Sequence, residues 1–118
     1  MKKLYVLVRS DISKSQQAVQ SCHAVAALMG RELWDTDQCG DEIWPRQVDG
    51  WSTLEGHIVI LKAKNEDMLK SWMDKVDKIT LYDCTVFHEP DLNNEMTALA
   101  VIDHDERLTD LFDKLPLL

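Results

Sequence analysis

The chain has 118 residues, 45% of them hydrophobic and 29% charged, the balance of one soluble globular domain spanning 1–118. This excludes a disordered tail, a collagen-like fibre and a disulfide miniprotein, and no apolar run approaches the ~20 residues a bilayer span needs, so no membrane role is expected. The net charge of −8 is uneven: residues 1–62 are near neutral and 63–118 carry −7, which makes the chain a poor general binder of nucleic acid unless a local patch serves.

Leu4 to Val8 is an apolar run rich in β-formers, a strand covered on both faces. It stops at Arg9 and Asp11 with no small-residue cleavage site after it, so it is no signal peptide and a cytoplasmic location is expected. Cys22, Cys39 and Cys84 cannot all pair within one chain, and none forms a Cys-x-x-Cys, which fits reduced thiols. Ser10 to Ser15 is turn-like. A helical pattern then runs from about Gln16 to Trp34, with Ala18, Cys22, Val25 and Met29 on its apolar face and Ser13 or Ser15 available to cap it.

From Asp35 to Glu55 the pattern dissolves around Gly40, Pro45 and Gly50, leaving a short helix or a lid that carries Trp44 and Trp51. His57 to Lys64 is a central strand. Asn65 caps a helix whose buried stripe is Met68, Leu69, Trp72, Met73 and Val76, with Glu66 and Asp67 in its first turn. Ile79 to Phe87 is the next strand, His88 to Asn94 a polar loop, and Met96 to Ile102 a fourth strand. Asp103 and Glu106 resemble a capping box, before a closing helix with Leu108, Leu111, Phe112 and Leu115. The order β-α-β-α-β-β-α predicts an α/β fold: a single-domain sandwich with a small mixed four-stranded sheet flanked by helices.

The chemistry-bearing residues exclude several classes. Cys22 and His23 are adjacent on a helix and diverge by about 100°, and no other spacing fits a metal site, so none is expected. Gly30, Gly40, Gly50 and Gly56 are too scattered for a phosphate loop, and there is no Gly-x-Ser-x-Gly elbow. Gln16, Gln20, His23 and Ala27 share a helix face beside the apolar one. Gln20 and His23 need partners if buried; the bland alternative is a solvent-facing glutamine and a boundary histidine. The segment His88-Glu89-Pro90-Asp91 with Asn93, Asn94, Glu95 and Thr97 reads as a turn, although Pro90 and Leu92 around Asp91 argue for a fixed backbone. Trp34, Trp44 and Trp51 fold over a core edge or stack bases.

Val8-Arg9-Ser10-Asp11-Ile12, then Lys14, then Ala18-Val19-Gln20 and His23-Ala24 resemble the opening of the type II peptidyl-tRNA hydrolases. That family reads Val-Arg-x-Asp-Leu, a Gly-Lys-Gly-Lys segment, then Ala-Ala-Gln-x-x-His-Ala. The likeness continues through Trp51, Gly56, Val59 to Ala63 and Thr97-Ala98-Leu99-Ala100. It implies an α/β protein, often a dimer, that hydrolyses the ester joining peptide to tRNA without a metal or other cofactor. It implies Lys14, His23, Asp91 and Thr97 as the catalytic set and Arg9, Gln20 and Asn94 as substrate-binding residues. Arg9, Lys14, Arg31, Arg46, Lys62 and Lys64 would form the RNA patch. The chain departs from the family where Ser13-Lys14-Ser15-Gln16 replaces Gly-Lys-Gly-Lys, and where Asp91-Leu92-Asn93-Asn94-Glu95 replaces Asp-Ala-Gly-Arg-Thr. Both changes remove positive charge. Two readings therefore stand: a hydrolase of peptidyl-tRNA, or a family-like domain without activity that binds a protein or small ligand.

Overall fold

The first strand, β1 (Lys3–Arg9), lies inside the sheet, and every residue from Leu4 to Arg9 is buried. In the computed structural model, which describes residues 3–39, 56–79, 84–103 and 106–118 (for 31–39 the backbone alone), it is followed by α1 (Lys14–Cys39), β2 (His57–Ala63), α2 (Glu66–Ile79), β3 (Thr85–Glu89), a 3₁₀ turn at Pro90–Leu92, β4 (Glu95–Asp103) and α3 (Arg107–Leu111). The sheet order is β2-β1-β4-β3. β1 runs parallel to β2 and antiparallel to β4, which is antiparallel to β3. The expected α/β architecture, a mixed four-stranded sheet between helices, is the one observed.

Alternation along β1 divides the core in two. Leu4, Val6 and Val8 pack with Ala24, Leu28, Ala98, Ala100 and Ile102 beneath α1. Tyr5 and Leu7 face the other way, into a cluster with Leu61, Leu69, Val76, Leu99, Val101, Leu108 and Phe112 beneath α2 and α3. β2, expected to be central, lies at the edge of the sheet, and its apolar character is accounted for by the C-terminal residues that pair its outer side. Leu117 bridges Leu61, Lys62 donates to the Pro116 carbonyl at 2.8 Å and Leu118 to Ile60 at 3.0 Å, which satisfies backbone groups an open edge would expose.

Several sequence expectations shift. α1 begins at Lys14 rather than Gln16 and continues through Cys39 past Trp34, because Asp35 to Cys39 contain no glycine or proline to break it. Ser13 supplies the cap, accepting from Gln16 N–H at 3.2 Å. The buried face of α1 is Gln17, Gln20, Ser21, Ala24 and Leu28, while Ala18 and Cys22 are exposed. The apolar stripe is displaced because the buried polar groups are satisfied. Gln17 donates to the Ile12 carbonyl at 2.8 Å, and Ser21 to the Gln17 carbonyl at 2.7 Å.

Ile79 closes α2 instead of opening a strand, and β3 runs on through His88 and Glu89, whose polar side chains predict a loop. An edge strand tolerates such polar residues. Asp103 and Glu106 form no capping box. Glu106 sits at φ 67° and its side chain does not cap the helix, and Asp103, at the end of β4, accepts from both the N–H and the hydroxyl of Thr109 at 3.2 Å. The expected Asn65 cap is present, with Met68 N–H donating to Asn65 Oδ1 at 3.0 Å. Trp44, Trp51 and the 40–55 segment lie outside the described residues. Among those described, no helix is long and apolar enough to cross a membrane.

Candidate active site

The parallel strands β1 and β3 end at Arg9 and Glu89 on the side of the sheet where α1 begins, the place where open α/β sheets commonly bind ligands. The turn after β3 is fixed locally. Pro90 opens the 3₁₀ turn, the Glu89 carboxylate accepts from the Asp91 N–H at 3.2 Å, and Asn93 and Asn94 take left-handed φ of 55° and 59°. Asparagine accepts that conformation more readily than most residues. Asn94 N–H then closes the loop onto the Glu89 carbonyl at 3.0 Å.

Between this turn and the first turns of α1 lies an open cleft of about 430 Å³. It is lined by Ile12, Ser13, Gln16, Val19, Gln20, His23, Glu89, Asp91 and Leu92. Gln20 forms its floor at 1% exposure. Its Nε2 donates to Glu89 Oε2 at 2.8 Å and Gln16 Oε1 at 3.1 Å, and its Oε1 accepts from the Thr97 hydroxyl at 2.8 Å. These partners dictate the orientation of the amide. Thr97 reaches Gln20 because β4 carries an extra residue. Phe87 pairs with Ala98 and His88 with Met96, so Thr97 bulges out of register and turns toward α1. His23 stacks on Phe87 with ring centroids 4.3 Å apart and planes 5° from parallel.

Of the residues expected at the site, the structure thus brings Gln20, His23 and Asp91 to one cleft, with Thr97 bonded behind Gln20. Lys14 is exposed at the first residue of α1, beside Ser13 but outside the lining. Asn94 is exposed and also outside it; its carbonyl accepts from His88 Nδ1 at 3.0 Å. Arg9 is buried on the opposite face, held by Asp11 at 2.9 and 3.0 Å and by Glu95 at 2.6 Å. Those bonds hold the Asp11 carboxyl below its usual range, chiefly through the Arg9 side chain. Of the other expected RNA-patch residues, Lys62 and Lys64 are placed on and after β2, away from this lining, and the side chains of Arg31 and Arg46 lie outside the described residues.

Glu89 was not singled out from the sequence. The hydrogen bond from Gln20, then that from the Asp91 N–H, lowers its carboxyl from the usual value, so it is ionised at neutral pH. A carboxylate just before a proline, positioned to cap the turn, is the local signal that marks it. Among the described residues no three His, Cys, Asp or Glu side chains gather as a metal-binding group. The arrangement offers an ionised, oriented carboxylate, a second exposed carboxylate, an imidazole and an apolar wall, which suits acid–base work on a small polar group.

No curated protein matches the chain. Among solved structures, it is similar to a protein of unknown function, Atu0240, from Agrobacterium tumefaciens strain C58, at 18% identity and a TM-score of 0.51, covering 99% of this chain and 97% of that one. At that identity the likeness is one of fold. The family model described as peptidyl-tRNA hydrolase PTH2 matches residues 2–118, nearly the whole length. With its mixed sheet and with Gln20 and His23 on the helix after the first strand, this chain belongs to the PTH2 peptidyl-tRNA hydrolase family.

Proposed function

We propose that this chain hydrolyses the ester bond between peptide and tRNA, in the cytoplasm, with its own side chains as the catalytic groups. The observation that carries the reading is the convergence of Gln20, His23 and Asp91 on one cleft, with Thr97 behind them. The ester carbonyl lies between the start of α1 and the Asp91 turn. Asp91, exposed at the rim, takes a proton from the attacking water, and His23 returns one to the departing ribose oxygen. The products are a peptide with a free carboxyl group and a tRNA with a free 3′ hydroxyl. Thr97, buried and bonded, acts as a positioning residue through Gln20. Lys14 meets a backbone phosphate at the mouth, aided by the positive end of α1.

One observation favours the alternative, a binding module without hydrolase activity. None of the nine described lining residues is a lysine or arginine, and Arg9 already holds two carboxylates. Release of peptide from purified peptidyl-tRNA decides between them. Asp91→Asn is expected to lower kcat by ~100-fold or more, and Lys14→Ala to raise KM by up to about tenfold with little change in kcat. A well-folded wild-type protein that releases no peptide would select the binding module.

A further inference from the structure

We infer that the cleft is a subsite for a basic side chain, so that the preferred ester is one whose acyl residue is arginine or lysine. The ester part of this statement rests on the hydrolase reading above; the side-chain part does not. Its walls carry Ile12, Val19 and Leu92, and Val19 is 46% exposed without an apolar partner covering it. At the floor, Glu89 is oriented by Gln20 at 2.8 Å and by the Asp91 N–H at 3.2 Å, which uses one acceptor site on each oxygen. A carboxylate has about four such sites, so acceptors remain for a ligand. Asp91 adds a second negative charge at the rim. Among the described residues no lysine or arginine pairs with Glu89 or Asp91.

An aliphatic wall ending on carboxylates that no described lysine or arginine pairs with, His23 being the basic group that acts on Glu89, matches the two halves of arginine and lysine, an apolar stem and a cationic head. A phosphate or an acidic side chain meets the repulsion of both carboxylates at the floor and rim. The Thr97–Gln20 chain, both residues almost fully buried, holds Glu89 in place before any ligand arrives, which spares the ligand that ordering cost. The two carboxylates thereby divide the work. Glu89 at the floor reads the side chain, and Asp91 at the rim serves the ester.

The test uses N-acetyl-argininamide, N-acetyl-norleucinamide and N-acetyl-glutamic acid amide, titrated into the whole protein and followed by backbone amide shifts. The arginine compound is expected to perturb Val19, Gln20 and Glu89 and to bind up to about fivefold more tightly than norleucine, the worth of one partly exposed charged contact. Glu89→Gln, which keeps an acceptor for Gln20, should erase that preference; Val19→Glu, at an exposed position, should increase it. Equal binding of the three compounds, binding elsewhere, or no binding overturns the proposal. In parallel, N-acetyl-arginyl and N-acetyl-leucyl esters on the same tRNA are compared for KM. If both esters are cleaved with equal KM, the subsite is wrong and the hydrolase reading survives. If neither is cleaved while the arginine amide still binds at the cleft, the hydrolase reading falls and the subsite stands.

Discussion

The two faces of the sheet are built on different principles. Under α2 and α3, Tyr5, Trp72 and Phe112 meet edge to face at 5.0 and 5.7 Å and pack with Leu7, Leu61, Leu69 and Leu99 into a large apolar cluster. Under α1 the apolar residues are smaller, with Ala24, Ala98 and Ala100 admitting the helix close to the strands. There, toward the cleft, apolar packing gives way to Gln17, Gln20, Ser21 and Thr97, buried and hydrogen-bonded. One face supplies cohesion, and the other gives up part of its hydrophobic area to hold polar groups in fixed directions. Each face also has its own polar device at the cleft end of the sheet. It is a neutral chain on the α1 side and an ion pair around Arg9 on the other.

The sharpest way to separate the faces is to remove volume from the first and a hydrogen bond from the second. Leu99→Ala, at a fully buried position under α2, should cost about 2–5 kcal/mol by transfer loss and residual cavity. Urea unfolding measures it. The shifts of Gln20 and Glu89 should stay nearly unchanged, since the alteration lies on the far side of β4. If those shifts move as much as residues around Leu99, the faces are mechanically coupled and the division fails.

Thr97→Val comes next. It keeps the shape, removes the donor to Gln20 Oε1 and leaves a buried acceptor unpaired, at a cost of about 1–3 kcal/mol. No ionisable group is lost, so the deficit should be flat from pH 5 to 8. Peptide release should fall along with it, and Thr97→Ser, which restores the hydroxyl, should recover most of the release. A variant that loses stability but releases peptide normally would reduce the chain to a purely structural one.

The contrast between the faces also explains what could be read from the sequence. α2 repeats apolar residues at helical spacing and buries most of what the pattern says, with Leu69 and Val76 inside and Trp72 and Met73 packed against the cluster, while Met68, expected in the same stripe, is 42% exposed. α1 follows the same reasoning only farther along, where the expected Val25 and Met29 pack against the core, and departs from it in its first turns. Its buried face carries glutamines, and Ala18 and Cys22, apolar by type, face outward because partners in the loop before α1 and on β4 decide the orientation. His88 and Glu89 looked like loop residues because an edge strand needs no apolar alternation. The bulge that aims Thr97 at Gln20 is invisible in the residue order, since it follows from pairing across 10 residues. Gln20, His23 and Asp91 were legible through the family resemblance. Glu89 became legible only when Gln20 was seen to bond it.

The smallest expected effect tests the ionic device on the α2 side. Asp11 is 38% exposed in its side chain, and Arg9 keeps Glu95 if Asp11 is lost, so Asp11→Asn should cost under ~1 kcal/mol at pH 7 after solvent screening. The pH dependence has a definite sign. Arg9 holds the Asp11 carboxyl below its unfolded value, so the pair's contribution is complete above about pH 4 and is lost as pH falls through the lower folded value. The stability gap between wild type and Asp11→Asn should therefore be constant from pH 7 to about pH 4 and close below it, and 0.5 M salt should narrow it at neutral pH. The Thr97→Val deficit, carried by a neutral hydrogen bond, should show neither trend. An Asp11 gap that does not shrink at all as the pH falls below about 4 would mean that shape and not charge holds this end of the sheet, and the difference between the two polar devices would vanish.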